Sequence, residues 1–472
     1  MPDWPQGPIL FCEPTSIAAY ADRFRCIGPL CEDTCCQGWK IPVDAEAMER
    51  YHSLLTSPLK SQIIGAITQA PAPSSDSGAV APRPSAEAAA QNVLRMKEDG
   101  HCALLNSESL CTIHAQLGEA YLPGVCASYP RVQRKLGAIA ETALALSCPE
   151  AARLVLLSPA LLSPALLSPA ERSQPGPSES APEAPAYFAE IRSTMLALIG
   201  SHNLPLWQRL FLLGLLCHRL DSIDAGQLRA DIPDYLARFR ADAESGASVL
   251  QMESMPYDPE AQLDVVLRLA GLMLHRSRVT PRFAKCIAEF TSGISNGPEA
   301  TLSTLTAAYN GACNDWFDPF VQRHPYVLEN YLVNLVVLQR FPFGRVSKPP
   351  SCDPRASDLQ SAAQSKRREF SRLIAQFVLM RGILIGVAGH YRDQFSTEHV
   401  VHTVQAASRH FEHHPEFLSS AQALVAESRL DGIAGLSILL RNRPTELPLP
   451  AAVSIPAPNP ANAFDQFPAL GI

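Results

Sequence analysis

No excess of positive charge runs through this sequence. Its 39 lysines and arginines are outnumbered by 46 aspartates and glutamates, for a formal charge of −7. Without a basic run there is no electrostatic reason to bind a polyphosphate or an anionic membrane, so no nucleic-acid partner is expected. Long apolar runs are missing too. The richest stretches, Met195–Leu220 and Ile374–Tyr391, are broken by His202, Gln208 and Arg209 in the first and by Arg381 in the second. A lipid-spanning helix needs about 20 uninterrupted apolar residues, so both stretches read as buried helices and no membrane association is expected. The start, MPDWPQGPILFCEP, has neither the positive charge nor the continuous apolar core of a secretory leader, which points to the cytoplasm. A glycine-rich loop of the GxGxxG kind is also missing, so no motif locates a nucleotide cofactor and its binding residues stay unassigned.

What is present excludes wholesale disorder: 47% of residues are apolar and 18% charged, enough to bury cores in a chain of 472 residues. The 41 prolines exceed the usual ~5% and imply linkers. Three stretches fit that description: an Ala/Pro/Ser-rich insertion at about 69–90, a second at 151–186, and a tail at 444–472. The second carries three copies of LLSPA from Leu156 to Ala170, where a proline every fifth residue prevents one continuous helix. Between the linkers the apolar spacing is helical almost throughout, clearest in Leu204–Leu220, Ala261–His275, Pro325–Phe341, Lys366–Tyr391 and Thr397–His414. Ser396 or Thr397 caps the last of these, and Pro342 and Pro415 act as stops. The expected architecture is mainly α: a cysteine-rich N-terminal domain over 1–150, then an all-helical domain over 187–443.

The cysteines carry the chemistry. Their number, 13, is odd, and clustered thiols in a reducing compartment suit a metal or cluster better than a disulfide framework. Eight of them group as Cys26, Cys31, Cys35 and Cys36, then Cys102, Cys111, Cys126 and Cys148. Thiolates suit zinc and iron–sulfur clusters alike. The expected ligands are Cys31, Cys35, Cys36, Cys111 and Cys126 ahead of Cys26 and Cys102, with Cys148 last. The spacing is not the three-then-two pattern of radical enzymes that cleave S-adenosylmethionine. His101 and His114 read as supporting or surface residues, and the isolated Cys12, Cys217, Cys286, Cys313 and Cys352 as small buried hydrophobes. In the helical region, Asn330 and Asn334 share a face and are explained either by substrate contact or by hydrogen bonding between helices. Arg381 needs an acidic partner if buried, or else snorkels. His399, His402, His410 and His413 fall together on a helical wheel, as on a solvated face.

Four blocks resemble the flagellin lysine N-methylases (FliB): CIGPLCEDTCCQGW at Cys26–Trp39, CALLNSESLCTIHAQLGEAYLPGVCASYPR at Cys102–Arg131, ENYLVNLVVLQRFPF at Glu329–Phe343, and, more weakly, SRHFEHHPEFL at Ser408–Leu418. The cysteine blocks alone are also similar to a broader group of small zinc- or iron-chelating domains. The resemblance implies a protein-lysine N-methyltransferase of the bacterial flagellum, moving a methyl group from S-adenosylmethionine to lysine ε-amines of flagellin. It also implies an iron–sulfur cluster, with zinc as the alternative, in the cysteine domain. A lysine amine, with an ordinary pKa of ~10.4, must lose its proton before it attacks. The Pro325–Phe341 helix is the most apolar segment that carries polar groups, so Glu329, Asn330 and Tyr331 are the expected catalytic residues, with Tyr326 nearby. The alternative reading is a non-catalytic metal- or iron–sulfur-binding protein with a helical interaction module.

Overall fold

The computed structural model describes residues 19–39, 41–69, 92–136, 139–159, 187–202, 204–222, 228–245, 252–276, 279–295, 300–344, 365–412 and 415–441. The expected tail, most of the two expected linkers, Cys12, Cys352 and His413 lie outside the described residues. The chain divides into two compact units, one made of residues 24–132 with 148–150, the other of the remainder.

The smaller unit is built of short pieces. The Ala45–Ser53 helix starts where Asp44 accepts a hydrogen bond from the Ala47 N–H at 2.8 Å. The same carboxylate accepts from the Gly124 N–H at 2.7 Å and so ties down the Gly124–Ser128 helix. Ser57 caps Pro58–Gly65, with the proline at the first turn. Three strands, Ile41–Pro42, Asn92–Leu94 and Ile67–Gln69, form an antiparallel sheet with Asn92–Leu94 in the middle. Ile41, Tyr51, Ile63, Leu94, Leu104 and Ile113 make the core. These strands were not expected from the sequence, because two or three residues are too few to show alternation. A second, two-stranded sheet, pairing Arg131–Leu136 with Ile139–Leu144, belongs almost wholly to the larger unit.

Helices dominate the larger unit, and each of the five expected ones is present: Leu206–Ser222, Pro259–Arg276, Tyr326–Leu338, Lys366–Tyr391 and Thr397–Phe411. Ser396 is the cap of the last, with its N–H donating to His399 Nδ1 at 3.1 Å. Pro415 does not so much stop that helix as open the next, Pro415–Glu427, a position where its missing N–H costs nothing. The first residues of the expected second linker belong to the Pro149–Leu156 helix.

Lys366–Tyr391 is the central helix. It belongs to the one described segment long and apolar enough to cross a membrane, yet 89% of that segment's apolar window is buried inside the protein. The Pro281–Ile294 helix lies against it so closely that a Cβ at Gly293 would stand 1.8 Å from the Gly386 carbonyl oxygen. Arg381 is buried here, donates to the Leu440 carbonyl at 3.2 Å, and has Asp318 as its nearby acid. Its burial rules out the snorkelling reading. The solvated histidine face does not hold either. His410 is buried, packs its ring at a tilt on Phe283 at 4.2 Å and bonds to Thr280, because a neighbouring helix covers the side that a wheel drawn for one helix leaves open.

Candidate functional site

No disulfide joins the described cysteines. Cys35 is the hub of the N-terminal set. Its hydrogen bond raises the Cys36 thiol, with burial and the charges of Cys35, Cys111 and Cys102 adding to it. Burial, then like charge from Cys111, Cys35 and Cys102, raises Cys126. Cys102, Cys111 and Cys31 are raised first by burial as well, and each also feels Cys35. The backbone supplies compensating donors: the N–H of Leu104 points at the Cys102 sulfur, and those of His114 and Ile113 point at the Cys111 sulfur.

Main-chain pairing explains how segments so far apart in sequence converge. The Cys102 N–H donates to the Cys36 carbonyl at 2.7 Å, and isolated bridges pair Met96 with Cys102 and Leu105 with Cys111. Cys36, Cys111 and Cys126 pack on the rim of the small core, with Trp39 beside them. Cys102 is thereby tied through its main chain to Cys36. Cys26 is exposed, accepting from the Gly28 N–H at 3.4 Å. Cys148 is buried just before the Pro149–Leu156 helix. His101 pairs with Asp99 at 3.2 Å and His114 faces solvent.

The expected catalytic residues sit on the Tyr326–Leu338 helix, all three buried. Asn330 donates both amide protons, to the Val155 and Ser158 carbonyls at 3.0 and 2.8 Å. Asn334 accepts from Tyr20 and from the Leu144 N–H and donates to the Leu144 carbonyl. Hydrogen bonding to neighbouring segments is thus the resolution for both amides. The Tyr331 hydroxyl accepts from Gln376 at 3.3 Å, and burial pushes its pKa up. Tyr326 pairs with His324 at 3.1 Å.

Glu329 differs from these two neighbours. Its side chain is 3% exposed and its carboxylate receives Arg209 at 2.8 Å, while His202, half exposed, stands 3.5 Å away. Arg209 is anchored in turn on the Ile199 carbonyl. In the sequence, His202 and Arg209 registered only as interruptions of an apolar run, and nothing in the local pattern joins them to a carboxylate 120 residues on. The arrangement is a buried, charge-balanced carboxylate with an imidazole between it and water.

The class these features define is a mainly helical protein with a thiol-rich N-terminal unit and a buried acid on its helical side. The model of the family described as FliB lysine N-methylase C-terminal domain matches residues 192–439, a little over half of the chain, and the chain belongs to that family. It is similar to the lysine-N-methylase of Salmonella typhimurium, 28% identical over 141 residues, which are 30% of this chain and 32% of that protein. It is likewise 28% identical over 154 residues to the flagellar biosynthetic protein FliU of Salmonella muenchen, covering 30% of this chain and 76% of FliU. The lysine-N-methylase of Salmonella choleraesuis matches as the first does, at 28% over 141 residues. The chain thus spans about a third of the length of the lysine-N-methylases. No solved structure matches it.

Proposed function

We propose that this chain methylates lysine ε-amines of flagellin, with S-adenosylmethionine as donor, in the bacterial cytoplasm. The observation that carries this is the match of the methylase family model across 192–439. The names of the relatives, two lysine-N-methylases and one flagellar protein, support it. When bound, S-adenosylmethionine supplies an electrophilic methyl group on a sulfonium, whose C–S bond breaks as the C–N bond forms. What is left to the chain is to strip and hold a proton. Glu329 is the acceptor we assign, with His202 as the exit of that proton to water and Arg209 balancing the charge. Asn330 and Tyr331 hold the helix in place behind it and are positioning residues. The Glu329 carboxylate is engaged by Arg209 and is not the group that would contact the sulfonium, so the residues that would hold the donor beside it are left unassigned.

The cysteine set is proposed to hold an iron–sulfur cluster, or zinc, on Cys35, Cys36, Cys102, Cys111 and Cys126, with Cys31, Cys26 and Cys148 as further candidates. The donor chemistry fits by type, since cysteine sulfur suits both zinc and iron–sulfur clusters. Coexpression with flagellin tests the activity. The intact mass of flagellin gains increments of one methylene, and Glu329→Gln suppresses them while Asn330→Asp and Tyr331→Phe reduce them less. Unmodified flagellin in the presence of the folded chain rejects the reading.

A further inference from the structure

Away from both places already described, a thiol, a carboxylate and an imidazole meet in the helical unit. Cys286 and Glu289 are three residues apart on the Pro281–Ile294 helix and therefore share a face. His402 comes from the Thr397–Phe411 helix. A sulfur, a carboxylate oxygen and a ring nitrogen all lie within 4.8 Å of one another, and Cys286 Sγ stands 3.5 Å from His402 Nδ1. That separation equals the edge, about 3.5 Å, spanned by a sulfur and a nitrogen on one tetrahedral ion with bonds of ~2.3 and ~2.0 Å.

The surroundings hold the three in place. Tyr391 donates its hydroxyl to Glu289 Oε1 at 2.6 Å, the kind of outer contact that fixes a ligating carboxylate. The Tyr391 ring is itself stacked on His399 at 3.7 Å. Two cations stand close. Arg282 is engaged by Gln405 at 3.1 Å. Lys285 pairs with Glu289 at 3.6 Å on a side chain 62% exposed, so it can withdraw into water and give up its place to an ion. Cys286 is itself fully buried, which leaves no room for a substrate to reach the sulfur as a nucleophile, whereas an ion needs only the part-buried side at His402.

We propose that Cys286, Glu289 and His402 form a site for a divalent ion of the zinc class, with one position left open. Sulfur, nitrogen and oxygen donors together suit such borderline ions. Three protein ligands are the number that leaves a coordination position for water or another small ligand. The site stands apart from the N-terminal thiols and does not depend on the methylation reading.

Cobalt(II) titrated into the full chain tests it, because a thiolate–cobalt bond absorbs in the near ultraviolet. The N-terminal thiols contribute their own signal, so the readout is the difference between variants. Cys286→Ser is expected to bind one equivalent fewer than the unaltered chain, while Cys111→Ser keeps that equivalent. Glu289→Gln still accepts from Tyr391, so its fold is not at stake, and it is expected to bind this ion roughly tenfold or more weakly. Zinc should then raise the Tm of the unaltered chain more than that of Glu289→Gln. Equal cobalt stoichiometry in Cys286→Ser and the unaltered chain, or equal zinc stabilisation in Glu289→Gln, overturns the proposal.

Discussion

The thiol-rich unit and the helical unit hold their chains together by different means. In the first, the Ala45–Ser53 helix has nine residues and the three strands of its sheet two or three each. Elements that short bury little against one another; Cys102 lies within their core, and Cys36, Cys111 and Cys126 pack against it from outside. In the second, the 26-residue Lys366–Tyr391 helix is buried along most of its length from Glu369 to Ala388, and its neighbours fit it by shape, down to glycine against glycine. On the proposed reading the first arrangement gains from metal–thiolate bonds, whereas the second gains from close fit between its helices. Fully buried side chains in such a unit contribute about 1.5–3 kcal/mol each, so it does not need a metal for its core.

The largest effect should separate the two directly. A structural metal contributes on the order of 10 kcal/mol to the unit that holds it. Cys35→Ser or Cys126→Ser should therefore lower metal content in anaerobically purified protein and open residues 24–132 to limited proteolysis. Cys217→Ser, fully buried in the helical unit, should do neither. Iron and zinc contents that are equal in all three variants would remove the contrast.

Next in size is a pair that the helical unit can ill afford to lose. Arg192 and Glu141 meet at 3.1 Å with both side chains 3% exposed. Burial pushes the Glu141 carboxyl up while Arg192 pulls it down. Arg192→Met alone should cost about 3–5 kcal/mol by stranding the carboxylate, and pairing it with Glu141→Gln should recover much of that. Urea unfolding of the single and double variants reads the difference, and a double variant no better than the single one would deny the pair its role.

Glycine gives a smaller and cleaner contrast. At Gly293 an added Cβ would meet the Gly386 carbonyl oxygen at 1.8 Å, whereas at Gly65 in the small unit it would meet nothing within 4 Å. Gly293→Ala should then cost about 1–3 kcal/mol, and Gly65→Ala should be neutral or stabilise by up to ~1 kcal/mol. A shared direction in the thermal midpoints would mean that close approach is not what holds the helices.

The same contrast explains what could be read from the chain. Sustained helices such as Lys366–Tyr391 announce themselves because their apolar spacing repeats over many turns. Strands of two residues do not, and Ile41–Pro42 and Ile67–Gln69 exist only because Asn92–Leu94 lies between them. The thiols were conspicuous by type, but the place of Cys102 among them depends on its main-chain bond to Cys36, which no spacing records. On the helical side, Glu329 was singled out for its polarity in an apolar run, while its partners Arg209 and His202 lie more than a hundred residues earlier. Cys286 read as an ordinary buried thiol and His402 as part of a wet face. Their meeting is a product of helix packing.

The smallest effect is one of sign. Glu412 accepts hydrogen bonds from the Leu146 and Ser147 N–H groups at 3.0 and 3.1 Å, yet burial outweighs these bonds and pushes its carboxyl from 4.5 up to about 7. The folded chain therefore binds this proton more tightly than the unfolded one. Its contribution is full below about pH 4.5 and falls as the pH rises towards about 7. Of the roughly 3 kcal/mol that such a shift carries in all, about 2 kcal/mol is lost between pH 5 and 7.5. Asp44 in the thiol-rich unit runs the other way. Burial raises its carboxyl, but the N–H groups of Gly124 and Ala47 outweigh burial and hold it below its ordinary 3.8, so its contribution is lost only as acid is added. Thermal midpoints of the full chain between pH 5 and 7.5 should decline on the neutral side. Glu412→Gln should flatten that decline and Asp44→Asn should leave it alone. A slope unchanged in Glu412→Gln would show that this carboxyl is already charged when folded, with the two N–H groups enough to hold it so.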